Sequence, residues 1–243
     1  MTLKIDKGLK KRPVKMVVFG PEASGKSTLA TNIGGDSLLL DCEDGSAYID
    51  TSRVDVKTWA ELCSAIMELG RDQHGMKTII IDTADAAERM AVNYICDQHG
   101  KDSLEQFAYG KGQVYLGESW QKLMNACDDI AKHCNVIFIC HSTVKRFSPP
   151  DEMDAYDRYE MRLAKHVLPL LKEWADAIAF LTFQQHVVTQ QDGRKKVQGG
   201  QKRILHMERC AAYDAKCRLP GVPSSLPVDS VESLQPLKDA LEF

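Results

Sequence analysis

Apolar residues recur along the chain in two rhythms. In the first they form short unbroken runs: Val14 to Phe19, SLLLD (37–41), KTIIIDT (77–83) and NVIFIC (135–140). Such runs, rich in branched side chains and bounded by polar or glycine residues, predict strands covered on both faces, as in a parallel sheet. In the second rhythm apolar residues fall three or four apart. KTWAELCSAIMELG (57–70) places Trp59, Leu62, Ile66 and Leu69 on one helix face, with Gly70 as a stop. Helical character is also expected up to about Ile33 and over 85–98, 119–134 and about 160–174, with looser polar stretches at 99–119 and 141–160. The last third changes character. AIAFLTF (177–183), QHVVTQ (185–190) and QKRILHME (201–208) read as strands, and QDGR (191–194) as a tight turn. Strands alternating with helices, then a β-rich end, predict an α/β fold: a mainly parallel sheet flanked by helices, with an antiparallel β extension at the C-terminal end. One domain is expected over 13–222, after a flexible basic segment (1–12) and before a Pro- and Ser-rich tail (223–243) with a final short helix.

Composition narrows the class. The 243 residues carry a net charge of −3, with 44% hydrophobic and 27% charged residues. That excludes a protein coated in positive charge, so any nucleic-acid contact has to be a local patch. No apolar run is long enough to span a membrane, and the basic start MTLKIDKGLKKRP lacks the apolar stretch of an export signal. The eight cysteines include no CxxC pair. They read as reduced, mostly buried thiols in a cytoplasmic protein.

The candidate chemistry lies at the ends of the predicted strands. Gly20, Pro21, Glu22, Ala23, Ser24, Gly25, Lys26 and Ser27, followed by Thr28, fit GxxxxGK[ST] between a strand and a helix. Glycines let backbone N–H groups face phosphate oxygens, and the helix N-terminus adds a positive field. Lys26 would reach the β and γ phosphates of ATP, and the Ser27 hydroxyl would ligate Mg²⁺. Asp82, after three isoleucines, is the expected second metal-orienting acid; it is also placed to cap the next helix. Of Asp41, Glu43 and Asp44, Glu43 is the choice to orient water, the alternative being solvated loop acids. His141, at the end of NVIFIC, stands where a γ-phosphate sensor belongs, or is a hydrogen-bonded loop histidine.

GPEASGKST, DCEDG, TIIIDT and VIFICHS in this order resemble the ATPase core of the bacterial recombinase RecA and its relatives. YDRYEMRLAKHVLPLLKEWADAIAFL (156–181) and AKCRLPG (215–221) are similar to phage-encoded RecA-like ATP-binding proteins, some of which anneal or recombine single strands. The resemblance covers about 14–222. It puts the catalytic glutamate on Glu43, and His141 where RecA has a sensing glutamine. It implies an ATPase on single-stranded DNA in phage recombination, annealing or replication. It also implies a homo-oligomeric ring or filament with ATP at subunit interfaces, in the host cytoplasm, with single-strand-binding protein or helicase as further partners. Loops 98–118, with Lys111, and 142–162, with Lys145, Arg146, Arg158, Tyr159 and Arg162, are then the candidate DNA contacts; cations would meet phosphates and rings would stack on bases. Flexible surface loops are the alternative. Lys216 and Arg218, two apart on a strand, are candidate fingers acting in trans on a neighbour's γ-phosphate, or a solvated strand face. An ATP-dependent switch that recruits partners and a P-loop kinase are the other functional readings; a kinase would be expected to carry an arginine-rich lid, which is not seen.

Overall fold

The computed structural model describes residues 5, 7–71, 74–148, 154–189 and 195–242, and the side chains of 185–189 and 195–199 are outside that description. The turn expected at 191–194 therefore lies outside the described residues.

The strands are β1 (Lys15–Gly20), β2 (Ser37–Asp41), β3 (Ser52–Asp55), β4 (Thr78–Asp82), β5 (Asn135–Phe147), β6 (Tyr156–Met161), β7 (Ala177–Thr189), β8 (Lys195–His206), β9 (Lys216–Cys217) and β10 (Ser225–Pro227). The helices are α1 (Lys26–Gly34), α2 (Trp59–Leu69), α3 (Ala84–Gln98), α4 (Lys111–Ile130), α5 (Leu168–Trp174) and α6 (Gln235–Leu241). One sheet runs β10-β8-β7-β1-β5-β4-β2-β3, parallel from β7 to β3 and antiparallel at β7–β8–β10. The α/β class and the antiparallel C-terminal extension are as predicted.

The unbroken apolar runs are explained by two cores, one on each face. Phe19, Ile79, Ile81, Val136 and Phe138 point to a core with Leu62, Ile66, Leu116 and Trp120. Their neighbours Val18, Ile80, Ile137 and Ile139 point to the other core, with Leu29, Ile33, Leu237 and Leu241. Period-2 alternation puts each successive side chain of a central strand into a different apolar layer, so the middle positions of β1, β4 and β5 are apolar throughout.

Several elements differ from expectation. Helix α4 begins at Lys111, not near 119, because its glycines pack rather than break. A Cβ on Gly112 would meet the Leu104 carbonyl at 2.6 Å and the Phe107 ring at 2.9 Å. Most of the stretch read as a polar loop over 142–162 is a β-hairpin, β5 pairing antiparallel with β6 from Ser142↔Met161 to Phe147↔Tyr156. The helix expected from 160 starts at Leu168 instead. The tail does not stand apart: β10 pairs with β8, and the Asn135 side chain donates to the Leu241 carbonyl at 3.0 Å.

Candidate functional site

Register alone brings the signature residues to one edge of the sheet. Gly20 at the end of β1 lies beside His141 in β5. Asp82 at the end of β4 lies beside Asp41 in β2 and Ile139 in β5. Parallel strands all end on the same side, and that carboxyl edge is where an α/β sheet takes ligands.

The loop from Pro21 to Gly25 turns sharply into α1. Ala23 (φ 57°) and Gly25 (φ 86°) take left-handed backbone, which costs Ala23 and suits Gly25. Gly20 is required by a close approach, since a Cβ there would lie 2.0 Å from the Leu181 carbonyl oxygen. Lys26, 6% exposed, donates to the carbonyls of Gly20 (3.2 Å) and Pro21 (2.8 Å). Burial pulls its ammonium below the ordinary value, against the attraction of Asp82. Glu22 and Thr28 are exposed, and Ser24 is buried with its hydroxyl on the Pro21 carbonyl at 2.8 Å.

Asp82 is almost fully buried. Burial pushes its carboxyl up to about 6, opposed by a hydrogen bond from Ser27 and reinforced by the charges of Glu43 and Asp41. A hydroxyl and a crowded, buried carboxylate in contact form the hard oxygen donor set that suits Mg²⁺, and Ser27 and Asp82 are the residues that would hold it. The helix cap left open for Asp82 is made by its neighbour, since the Thr83 hydroxyl accepts from the Ala86 N–H.

Asp41, read as one of three candidate acids, is a scaffold. Its carboxylate accepts from the N–H groups of Glu43 (3.0 Å), Asp44 (2.8 Å), Gly45 (3.3 Å) and Ser46 (2.9 Å). Burial raises its pKa, but these bonds and the Ser46 hydroxyl outweigh it, so the group is held below the usual value. The loop so fixed presents Glu43, whose Oε1 accepts from the Thr83 hydroxyl at 2.9 Å and from Arg89 at 3.3 Å. His141 Nδ1 lies 3.7 Å from the same oxygen.

The hub of this cluster, Asp85, was missed in the sequence. It is 3% exposed and binds the His141 N–H (3.0 Å), the His141 ring (3.1 Å), Arg89 (3.3 Å) and Arg162 (2.7 Å). Burial opposes its charge, but the bonds from His141 and Arg162 hold the carboxyl far below the usual carboxylate range. The available signal was an acid in the first turn of the helix that follows Asp82. Ligand atoms of Glu43, Asp85 and His141 lie within 4.8 Å of one another. With Arg89 and Arg162 already on these carboxylates, the charge is balanced within the chain, and the group is an ion-pair cluster.

Of the candidate DNA contacts, Lys145, Arg146, Arg158 and Tyr159 lie on the β5–β6 hairpin, with Lys145 directly opposite Arg158. Lys145 pairs with Glu160 (3.2 Å), Arg146 with Asp157 (3.6 Å) and Arg158 with Asp214 (3.1 Å). Tyr159 packs on Phe180, ring centroids 5.1 Å apart. Arg162 pairs with Asp85 (2.7 Å) and Glu22 (3.4 Å). Lys111 is exposed at the start of α4, whereas Tyr115 stacks on His99 and Phe107 meets the same ring edge-on. The basic run RKKVQGGQKR (194–203), by its sequence a DNA contact or a solubilised hairpin, lies partly outside the described residues. Lys216 donates to the Lys172 carbonyl at 2.6 Å, and Lys216 stands beside Ile178, itself beside Val17 of β1. Lys216 is thus three rows back from Gly20 and two strands across. The Arg218 N–H donates to Asp176, farther from the loop still. Neither is brought to this chain's own phosphate loop. Arg203 lies against the loop, its Nη1 3.4 Å from the Ser24 carbonyl.

Among the described residues no helix is long and apolar enough to cross a membrane. The chain is similar over 89% of its length to the crystal structure of the RadB recombinase, covering 87% of that chain at 16% identity and TM-score 0.49. A further similar structure is the flagellar accessory protein FlaH from Methanocaldococcus jannaschii, with 12% identity, 89% of this chain, 84% of that chain and TM-score 0.46. A curated relative is the SPbeta prophage-derived uncharacterized protein YorG of Bacillus subtilis (strain 168), 25% identical over 145 residues. That match takes in 57% of this chain and 43% of the relative's length. A family model described as an AAA domain matches residues 12–219. The chain belongs to this family of P-loop nucleotide-binding ATPases.

Proposed function

We propose that the chain hydrolyses ATP at the loop Gly20–Thr28 and uses that cycle on single-stranded DNA, in phage recombination, annealing or replication. The observation that carries the ATPase part is the convergence of Lys26, Ser27, Asp82, Glu43 and His141 at the ends of four strands. Lys26 and the loop N–H groups bind phosphate. Ser27 and Asp82 would hold Mg²⁺, which supplies charge to the β and γ oxygens when bound. Glu43, fixed through Asp41 and Thr83, accepts a hydrogen bond from the attacking water. His141 is held by Asp85 at Nδ1, which leaves Nε2 to meet the γ-phosphate.

The DNA part has thinner support: the order of the motifs, the prophage origin in the name of a relative, and surface cations on the β5–β6 hairpin. Distance from the chain's own loop favours Lys216 and Arg218 acting on a second subunit's nucleotide in a homo-oligomer. The test is ATP turnover titrated with single-stranded DNA at two salt concentrations. Stimulation that falls steeply with salt supports the reading. Turnover indifferent to DNA, with no binding at low salt, removes the DNA part and leaves an ATPase or a partner-recruiting switch.

A further inference from the structure

Arg162 follows β6 directly, and its N–H donates to the His141 carbonyl at 2.8 Å. The guanidinium therefore starts beside the nucleotide edge and spans two acids of different elements. Nη2 donates to Asp85 at 2.7 Å, and Nη1 faces Glu22 of the phosphate loop at 3.4 Å. The two contacts are unequal. The Asp85 side chain is 3% exposed, whereas that of Glu22 is 76% exposed. An exposed pair at the longer distance is weak and exchanges readily with solvent. One arm of the fork is anchored, and the other is held by a carboxylate that water can replace.

A phosphate offers the same acceptor geometry as a carboxylate with more charge, and a planar guanidinium matches it in a fixed orientation. We propose that Arg162 is a phosphate-recognition residue of the nucleotide site: anchored on Asp85, it gives Nη1 to the terminal phosphate of a bound nucleoside triphosphate, which takes the place of Glu22. This rests on the reading of residues 20–28 as a nucleotide site. It predicts that Arg162 distinguishes triphosphate from diphosphate, and that Glu22 competes with the ligand.

The experiment is equilibrium binding of ADP and of a non-hydrolysable ATP analogue, each with Mg²⁺, to the full chain and four variants. Arg162→Ala should weaken the analogue by roughly 10- to 100-fold, the loss of a charge-assisted hydrogen bond, and change ADP little. Arg162→Lys should recover part of that loss, since it keeps the charge without the fork. Glu22→Gln should bind the analogue more tightly than the parent, since the competing carboxylate is gone. A purely structural bridge predicts otherwise: Glu22→Gln and Arg162→Ala would weaken both nucleotides alike, and that result overturns the proposal. Lys26→Ala separates the two levels. If Lys26→Ala binds both nucleotides like the parent, the nucleotide-site reading itself fails. If Lys26→Ala loses both while Arg162→Ala keeps the parent's ratio of analogue to ADP affinity, only the Arg162 assignment fails. Should Arg162→Ala not fold, Arg162→Lys and Glu22→Gln decide the matter.

Discussion

Strand β5 has two halves that behave as different materials. From Asn135 to Cys140 every residue is buried, with parallel partners on both sides and an apolar core on each face. From Ser142 to Phe147 the strand leaves the sheet and pairs with β6 alone, and none of these side chains is fully buried. The change falls at His141, beside Gly20. The first half places the carboxyl edge of the sheet by packing, where a shift of one residue would swap two cores. The second half is held by one ladder and by surface ion pairs, so it can move or meet a partner at low cost. The site stands where the rigid half ends.

The comparison is broken most severely by a cavity. Ile137 in the buried half is fully enclosed. Ile137→Ala should cost about 3 kcal/mol, from lost burial and an unfilled hole. Val144 in the outer half is 54% exposed, and Val144→Ala should cost under about 1 kcal/mol. Chemical denaturation of the two variants measures the contrast, and equal losses would contradict it.

Asp82 gives an effect of the opposite sign. Its carboxyl is pushed from the ordinary 3.8 up to about 6, so the folded chain without nucleotide prefers it protonated. The stability this preference contributes is complete below about pH 4 and lost as pH rises through about 6. Asp82→Asn should therefore stabilise the nucleotide-free protein at pH 7 by about 1–3 kcal/mol, while Mg²⁺-dependent nucleotide binding is lost. In the parent, Mg²⁺–ATP binding should weaken as pH falls through about 6. Thermal melts with and without nucleotide, at pH 5 and pH 7.5, read both signs.

The smallest change in stability belongs to the hairpin. Lys145 and Arg146 are more than half exposed and paired only at the surface. Replacing both with Ala should alter stability by less than about 1 kcal/mol. If the hairpin meets single-stranded DNA, the same variant should reduce the salt slope of DNA binding by about one to two. An unchanged slope removes these two residues from the interface.

The parallel sheet was legible because a strand buried on both faces has to be an unbroken apolar run, and a phosphate loop has to spell its glycines and lysine. The hairpin was not legible. The polar stretch 141–160 carries no apolar run, and its pairing partner lies across residues rich in Pro and Asp. The looser stretch 99–119 hid the first turns of α4, where Gly112 lies tight against Leu104 and Phe107. Asp85 and Arg162 were hidden for another reason. Their importance comes from meeting each other across 77 residues, and no local pattern encodes such a meeting. In sequence Arg162 stands among the candidate DNA contacts, while in the fold its side chain meets Glu22 and Asp85.

In the proposed function the cluster at the sheet edge hydrolyses ATP, with Glu43 addressing the water. The most direct test compares Glu43→Gln with the parent in ATP binding and in Mg²⁺-dependent turnover, measured on the same preparations. The account predicts near-parental binding with turnover lowered by roughly 10²- to 10⁴-fold, the loss expected for a positioned general base. Parental turnover in Glu43→Gln would contradict it.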